Sequence, residues 1–411
     1  MPNVSVLEVL LHNTPIATLT LLQGDRAIFA FNQSYIDDLE RSTLSLSFYT
    51  GSGSLITETR PTQTVLPPFF SNLLPEGHMR SYLAEQAGVK EQREFYLLWV
   101  LGRDLPGAVT VRPADGEAWP PNARGEEPDA KEQKRREHVL RFSLAGVQLK
   151  FSAVKADGRG RGLTIPATGV GGSWIVKLPA ANYSGVPENE FSMMTLAKSI
   201  GMNVPEVQLV DLESIEGLPK GIETIEGKAF VVRRFDRSAE GAIHIEDFAQ
   251  VFGVFPGDKY DKGSYRSIAE VLGIAADDED VAEFIKRLVF NTLIGNADMH
   301  LKNWSLIYPD GRNPHLSPAY DFVSTVPYID DERAALKYAR KKRMNELTAD
   351  ELRSLAGKAR LSEKLVMDAA AETVERFKAL WPSEKKNLPL TKKVQDAIET
   401  HMQTVPLYQE W

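Results

Sequence analysis

The sequence predicts a mixed α+β protein, with β-rich segments ahead of a mainly helical C-terminal half. Three observations carry that expectation. The first third opens with short apolar runs broken by turn residues. A later stretch runs in the order strands, one helix, strands. Beyond it, apolar residues recur at helical spacing over most of the remaining chain. At 411 residues, a prior of about 150 residues per domain suggests two or three domains.

Each element has its own signal. Val4 to Leu11, Ile16 to Leu22 and Ala27 to Phe31 are apolar runs separated by His12-Asn13-Thr14-Pro15 and Gln23-Gly24-Asp25, the pattern of a β-meander. From Phe70 to about Leu101 the pattern turns helical. Leu105-Pro106-Gly107 marks a turn, and Ala108 to Val111 reads as one more strand. Residues 113–138 are rich in Pro, Gly and charge, with almost no aliphatic side chains larger than alanine. Such a stretch has nothing to pack into a core and reads as a linker or excursion. The expected organisation is therefore 1–112, a linker at 113–138, and a second unit at 139–411.

In the second unit, Trp174 to Leu178, Val207 to Leu212 and Ala229 to Arg233 read as strands, and Glu188 to Ile200 as a helix stopped by Gly201. Helices are expected to dominate after that. Val281, Phe284, Ile285, Leu288, Val289, Thr292 and Leu293 fall on one helical face, the signature of core. Thr348 to about Thr404 reads as a series of helices. The arrangement suggests a small β-rich lobe, a larger helical lobe, and a cleft between them able to hold a ligand.

Composition excludes several classes of function. There is no cysteine, so disulfides, thiolate zinc sites and a cysteine nucleophile are ruled out. A net charge of −8 argues against unaided, non-specific DNA binding. No run of 18 apolar residues exists, and the N-terminus lacks the basic region of a signal peptide. The expectation is a soluble cytoplasmic protein with no membrane partner.

The most informative segment runs from Leu293 to Trp304 and contains Asn296-Ala297-Asp298-Met299-His300-Leu301-Lys302-Asn303. It leaves the long helix as a loop. Asp321 follows in a second loop, Ser317-Pro318-Ala319-Tyr320-Asp321-Phe322. Phosphoryl transfer gives such residues work. It needs a base that orients the attacking hydroxyl and oxygen ligands that hold magnesium against phosphates. Asp298 and Asn303 have the spacing of the base and the metal-binding Asn of a kinase catalytic loop. Asp321 suits a second magnesium ligand, since that ion takes hard oxygen donors. Lys177, inside an apolar strand, is placed to meet ATP phosphates, and Glu190 on the next helix can pair with it. Upstream, Ser143-Leu144-Ala145-Gly146-Val147-Gln148-Leu149-Lys150 offers small residues whose backbone N–H groups suit phosphate oxygens. It is not a Walker A loop, and Gly169-Val170-Gly171-Gly172 reads only as a turn feeding the strand.

These motifs resemble those of the HipA kinases, the toxins of bacterial toxin–antitoxin pairs. Arg141 to Lys150 resembles their phosphate loop, Trp174 to Pro179 their lysine strand, and Glu188 to Phe191 the start of the following helix. Phe230 to Arg237 is similar to their hinge, Asn296 to Asn303 to their catalytic loop, and Pro318 to Asp321 to their metal loop. Ser71-Asn72-Leu73-Leu74-Pro75-Glu76-Gly77 resembles a segment of their N-terminal domain. The motifs occur in the family's order along almost the whole chain.

The resemblance implies a kinase-like two-lobed fold and an ATP- and magnesium-dependent serine/threonine protein kinase. It makes Asp298 the catalytic base and Asn303 and Asp321 the magnesium ligands. It gives Lys177, Gly146, Val147, Gln148, Lys150, His300 and Lys302 to the nucleotide site, with the backbone at Arg233 to Phe235 holding adenine. Glu190 supports Lys177, and Ser143 becomes an autophosphorylation site whose modification expels the phosphate loop. The implied partners are a helix-turn-helix antitoxin (HipB-like), operator DNA reached through that antitoxin, and an aminoacyl-tRNA synthetase, such as the glutamyl enzyme, as substrate. Halted translation and persistence would follow.

The blander readings stand beside these. Lys177 alone reads as a snorkelling strand lysine. Glu190 reads as an exposed helix-start glutamate, and Ser143 as a turn residue. Asp298 and His300 could ligate a hydrolytic metal, although no His/Asp cluster lies nearby in sequence. Lys341-Lys342-Arg343 reads as a solvated face, and Trp304 and Phe322 as core. Two other functions compete: a catalytically silent co-repressor working with its antitoxin, and a lipid or small-molecule kinase. The full set Lys177, Asp298, Asn303 and Asp321 weighs against the first.

Overall fold

The computed structural model describes residues 5–116, 150–155, 163–164, 172–180, 182–218 and 227–411. The N-terminal segment builds a five-stranded sheet in the order β4-β3-β2-β1-β5. Its strands are β1 (Ser5–Leu11), β2 (Thr14–Leu22), β3 (Arg26–Phe31), β4 (Thr62–Gln63) and β5 (Val109–Pro113). β1, β2 and β3 form the expected meander, because alternating Leu7, Val9, Leu19 and Phe29 all point into one core. Helices α1 (Gln33–Asp37), α2 (Pro68–Leu73), α3 (Gly77–Ala87) and α4 (Glu94–Leu101) accompany the sheet. Phe69, Phe70, Leu97 and Leu98 close that core from the helical side.

The second sheet has six strands in the order β10-β7-β6-β8-β11-β9. They are β6 (Lys150–Lys155), β7 (Leu163–Thr164), β8 (Trp174–Lys177), β9 (Val207–Asp211), β10 (Ile215–Glu216) and β11 (Lys228–Arg233). Helix α5 (Val186–Ile200) packs on β9 and β11. The helix begins two residues ahead of the expected start, with Pro187 in its first turn, and ends as expected at Gly201 in the left-handed region. In the central strand, Lys177 lies opposite both Lys150 on β6 and Phe230 on β11.

A helical body follows: α6 (Phe248–Val251), α7 (Tyr265–Ala275), α8 (Asp278–Leu293), α9 (Ala349–Ala359), α10 (Glu363–Asn387), α11 (Lys392–Met402) and α12 (Pro406–Glu410). The apolar face read on α8 is buried in full, from Val281 to Leu293. Removing one such leucine would cost about 2–5 kcal/mol through the cavity left behind. One element departs from expectation. A small sheet of β12 (His244–Asp247), β13 (Ser305–Tyr308) and β14 (His315–Leu316) sits among the helices. Its strands are four residues or fewer, too short for an alternating pattern to register in sequence.

The N-terminal segment is hydrogen-bonded to the helical body at several points. Gln250 donates to the Phe69 carbonyl at 3.0 Å, and Asn72 to that of Val254 at 2.7 Å. His244 meets the Leu44 carbonyl at 2.7 Å. The Leu105-Pro106-Gly107 turn docks beside β12, and a Cβ on Gly107 would lie 2.8 Å from the Ile245 nitrogen, so the turn tolerates only glycine. Among the described residues no helix is long and apolar enough to cross a membrane.

Candidate active site

Three segments far apart in sequence converge where the six-stranded sheet meets the helical body. The first is the end of β8. Lys177 is 4% exposed and its ammonium is ion-paired with both Glu190 on α5 and Asp321. Burial alone would lower the pKa of Lys177, but the carboxylates of Asp321 and Glu190 push it above the ordinary lysine value. The snorkelling and exposed-glutamate readings therefore fall: Lys177 and Glu190 are both buried, and each is the other's counter-ion.

The second segment carries Asp321. Burial would raise its pKa, but Lys150 and Lys177 hold it well below the carboxylate range. Lys150, half-exposed, approaches its other oxygen at 3.3 Å. The Asp321 backbone has φ +57°, a left-handed conformation that costs a non-glycine residue about 1 kcal/mol or more. Asn296 donates to the Asp321 carbonyl at 3.3 Å and so helps hold that geometry. Phe322 beside it is core, as is Trp304.

The third segment leaves α8 through Gly295, at φ +68°. A Cβ there would lie 2.6 Å from Val326, which explains the glycine. Asn296 accepts from the Asp298 N–H at 3.0 Å while its amide reaches the Asp321 loop, so one buried side chain joins the two loops. The loop then closes on itself. The Asp298 carbonyl accepts from the His300 N–H at 2.8 Å and from the Asn303 side chain at 2.8 Å. The Asp298 carboxylate is half-buried and accepts from the Tyr260 hydroxyl at 2.5 Å. His300 is buried, which lowers its pKa to about 4 and keeps it neutral near pH 7.

Lys302 reaches toward the N-terminal segment. It donates to the Asn72 carbonyl at 2.9 Å and pairs with Glu76 at 2.8 Å. Glu76 also pairs with Lys259 at 2.8 Å. Burial would raise the Glu76 pKa, but the two lysines pull it down to about 2. The proposed hinge lies close by: the Phe235 ring sits 5.8 Å from that of Tyr320, next to Asp321. The N–H groups of Arg233 and Arg234 are already given to the carbonyls of Glu206 and Ser173, so neither is left for an adenine ring. The Arg233 side chain is exposed, and Arg234 forms buried ion pairs with Asp104 and Asp236.

The geometry thus brings together Lys177, Glu190, Lys150, Asp321, Asn303, Asp298 and His300, and sets Lys302 at the edge. Ser143, Gly146, Val147 and Gln148 lie outside the described residues. Sequence reasoning missed Tyr260, Lys259 and the role of Asn296, although Asn296 stood inside the motif and Glu76 inside the quoted N-terminal segment. The metal reading of Asp298 with His300 gains nothing. Among the described residues the one three-ligand group is Asp277, Asp280 and His315, on the surface at the start of α8. A shallow hollow of about 540 Å³ at Arg80 and Glu91 is lined only by residues of the N-terminal segment. Lys341 and Arg343 are exposed and paired with Glu346 and Glu332, as expected of a solvated face.

An asparagine and aspartates on adjoining loops beside one buried and one half-exposed lysine suit magnesium and phosphate. Comparison with known proteins bears on the same point. Residues 142–381 match the HipA-like C-terminal domain and residues 7–112 the HipA N-terminal domain. A Sinorhizobium fredii protein, provisionally named as the kinase Y4dM, is 63% identical over the full length of both chains. The Shewanella oneidensis serine/threonine-protein kinase toxin HipA is 28% identical, over 76% of this chain and 74% of that one. A solved assembly of Shewanella oneidensis HipA, HipB and operator DNA has a chain of the same fold, with a TM-score of 0.72 at 22% identity. That match covers 98% of this chain and 96% of the other.

Proposed function

Because this chain belongs to the HipA family, we propose that it is an ATP-dependent serine/threonine protein kinase of the toxin type. The observation that carries the proposal is the convergence of Lys177, Glu190 and Asp321, joined through Asn296 to the loop of Asp298 and Asn303. A structural ion pair would not need a strained aspartate or a second, half-open carboxylate alongside.

In this reading each side chain has one task. Lys177, held by Glu190, contacts the phosphates of ATP. Asn303 and Asp321 supply oxygen ligands to magnesium. Bound MgATP provides the transferable phosphoryl group, with its charge partly neutralised by the metal. Asp298 accepts the proton of the attacking serine or threonine hydroxyl. Neutral His300 packs under that loop without adding charge. Lys150 and Lys177 both rest on Asp321, so nucleotide entry exchanges lysine–carboxylate pairs for lysine–phosphate ones. Gly146, Val147 and Gln148 are the proposed phosphate loop, Ser143 its self-modification site, and the Phe235 backbone the remaining adenine contact.

The partners follow from the family. A HipB-like helix-turn-helix antitoxin neutralises the kinase, and operator DNA is met through that antitoxin, in keeping with the net charge of −8. The substrate is a translation protein, with an aminoacyl-tRNA synthetase such as the glutamyl enzyme as the first candidate. Phosphoproteomes of cells expressing the parent or Asp298→Asn test this. A synthetase phosphopeptide and Ser143 phosphate, both confined to the parent, are expected. Identical phosphoproteomes would contradict the assignment.

A further inference from the structure

Tyr260 has no role in the reaction as derived above, yet it makes the closest polar contact to the proposed base. It lies in the turn that precedes α7, and its hydroxyl donates to Asp298 Oδ1 at 2.5 Å. Burial and the charge of Asp298 both raise the phenol pKa, so the group stays a protonated donor. Its ring meets the His300 ring edge-on, with centroids 4.8 Å apart, and the Lys259 ammonium lies 5.6 Å from the Tyr260 ring centre.

Two features distinguish this contact from a structural one. Tyr260 remains 40% exposed, so it can swing away without opening the core. Beneath it, His300 is buried, and its Nδ1 has no partner among the described residues. The contact is anchored beside the phenol rather than through it. The Leu301 N–H donates to the Lys259 carbonyl at 3.3 Å, and the Lys259 side chain is tied to Glu76. Loss of the phenol contact therefore leaves the turn in place.

An acceptor hydroxyl must donate a hydrogen bond to Asp298 before it can attack phosphorus. Tyr260 makes that same bond from within the chain. We infer that Tyr260 occupies the acceptor subsite until the serine or threonine of a protein substrate displaces it, and that it thereby keeps water off the base. The inference rests on the kinase reading. The reaction it suppresses is transfer to water: the bond from the γ-phosphorus to the β–γ bridging oxygen breaks, and a bond from water oxygen to that phosphorus forms. The water proton passes to Asp298, and ADP departs with the bonding electron pair. Tyr260 thus sets selectivity between a protein hydroxyl and solvent.

The test uses the full chain with MgATP and no added protein acceptor, following inorganic phosphate, which transfer to water releases and self-modification of Ser143 does not, together with ADP. Tyr260→Ala should raise the rate about tenfold, the scale of one hydrogen bond to a charged group, and Tyr260→Phe should raise it part of the way. Rates at or below the parent's in both variants would overturn the inference and make the phenol an orienting partner of Asp298. A second readout is independent of turnover. In protein labelled with 3-fluorotyrosine, the Tyr260 ¹⁹F resonance, assigned by its loss in Tyr260→Phe, should move on Asp298→Asn and on addition of a serine peptide with MgATP. An unmoved resonance overturns the inference. If ATP binds but no protein releases ADP, the kinase reading fails, while the response to Asp298→Asn still decides whether Tyr260 sits on that carboxylate.

Discussion

Two clusters of charge flank the proposed reaction centre, and they are built in opposite ways. Lys177 and Glu190 are sealed between sheet and helix, with side chains 5% and 3% exposed. Asp298 sits on a half-open loop under a tyrosine that is itself 40% exposed. The difference matches what each must meet. A nucleotide phosphate is small and can enter a tight, desolvated site where a fixed lysine counts for most. A protein hydroxyl arrives on a bulky partner, so its base has to remain near the surface.

The largest effect should come from the sealed side. Lys177→Ala leaves Glu190 and Asp321 without their shared cation. Unfolding in urea should show a loss of about 3–5 kcal/mol, and calorimetry should show no ATP binding. Parental stability in that variant would break the contrast between the clusters. On the open side, Asp298→Asn should slow phosphoryl transfer by about 10²–10⁴-fold and leave both the urea midpoint and ATP affinity in place. A large drop in stability would mean that the loop is as structural as the lysine cluster.

Glu76→Gln probes the tie between the N-terminal segment and Lys302. A loss of about 1 kcal/mol at neutral pH is expected, with a several-fold slower transfer. The sign of its pH dependence follows from the depressed pKa. Carboxylate pairing adds stability above about pH 4.5 and loses it as pH falls toward 2. Parent and variant midpoints should therefore converge between pH 4.5 and 2; a constant gap would contradict the pairing. Lys150→Ala should have the smallest effect on stability, within about 1 kcal/mol, because its side chain is 49% exposed. A larger loss would show that Lys150 shares the buried lysine's role.

The same contrast explains what could be read from sequence. Lys177 stood out because a charge inside an apolar strand needs a partner, and Asp298 and Asn303 because their spacing is local to one loop. Each of those signals is contained within a few residues of chain. Tyr260 carried no such signal, since its meaning depends on a turn folding back over Asp298 from 38 positions away. The Glu76 pairing with Lys259 spans 183 positions, and the Asn72 contact with Lys302 spans 230. Contacts of that kind are set by tertiary packing, which has no period to detect. The β12–β14 sheet escaped for the complementary reason, its strands of two to four residues holding too few alternation cycles to stand out. The hinge bonds are of the same tertiary kind: the Arg233 and Arg234 N–H groups go to the Glu206 and Ser173 carbonyls, which no local pattern announces.

One measurement bears most directly on the kinase assignment: transfer of label from γ-labelled ATP, with magnesium, to the purified chain, run beside Asp298→Asn and mapped by mass spectrometry. The account predicts phosphate on serine, Ser143 first, in the parent and at least a hundredfold less in the variant. Equal labelling of both proteins, or none in a parent that binds ATP, would contradict it.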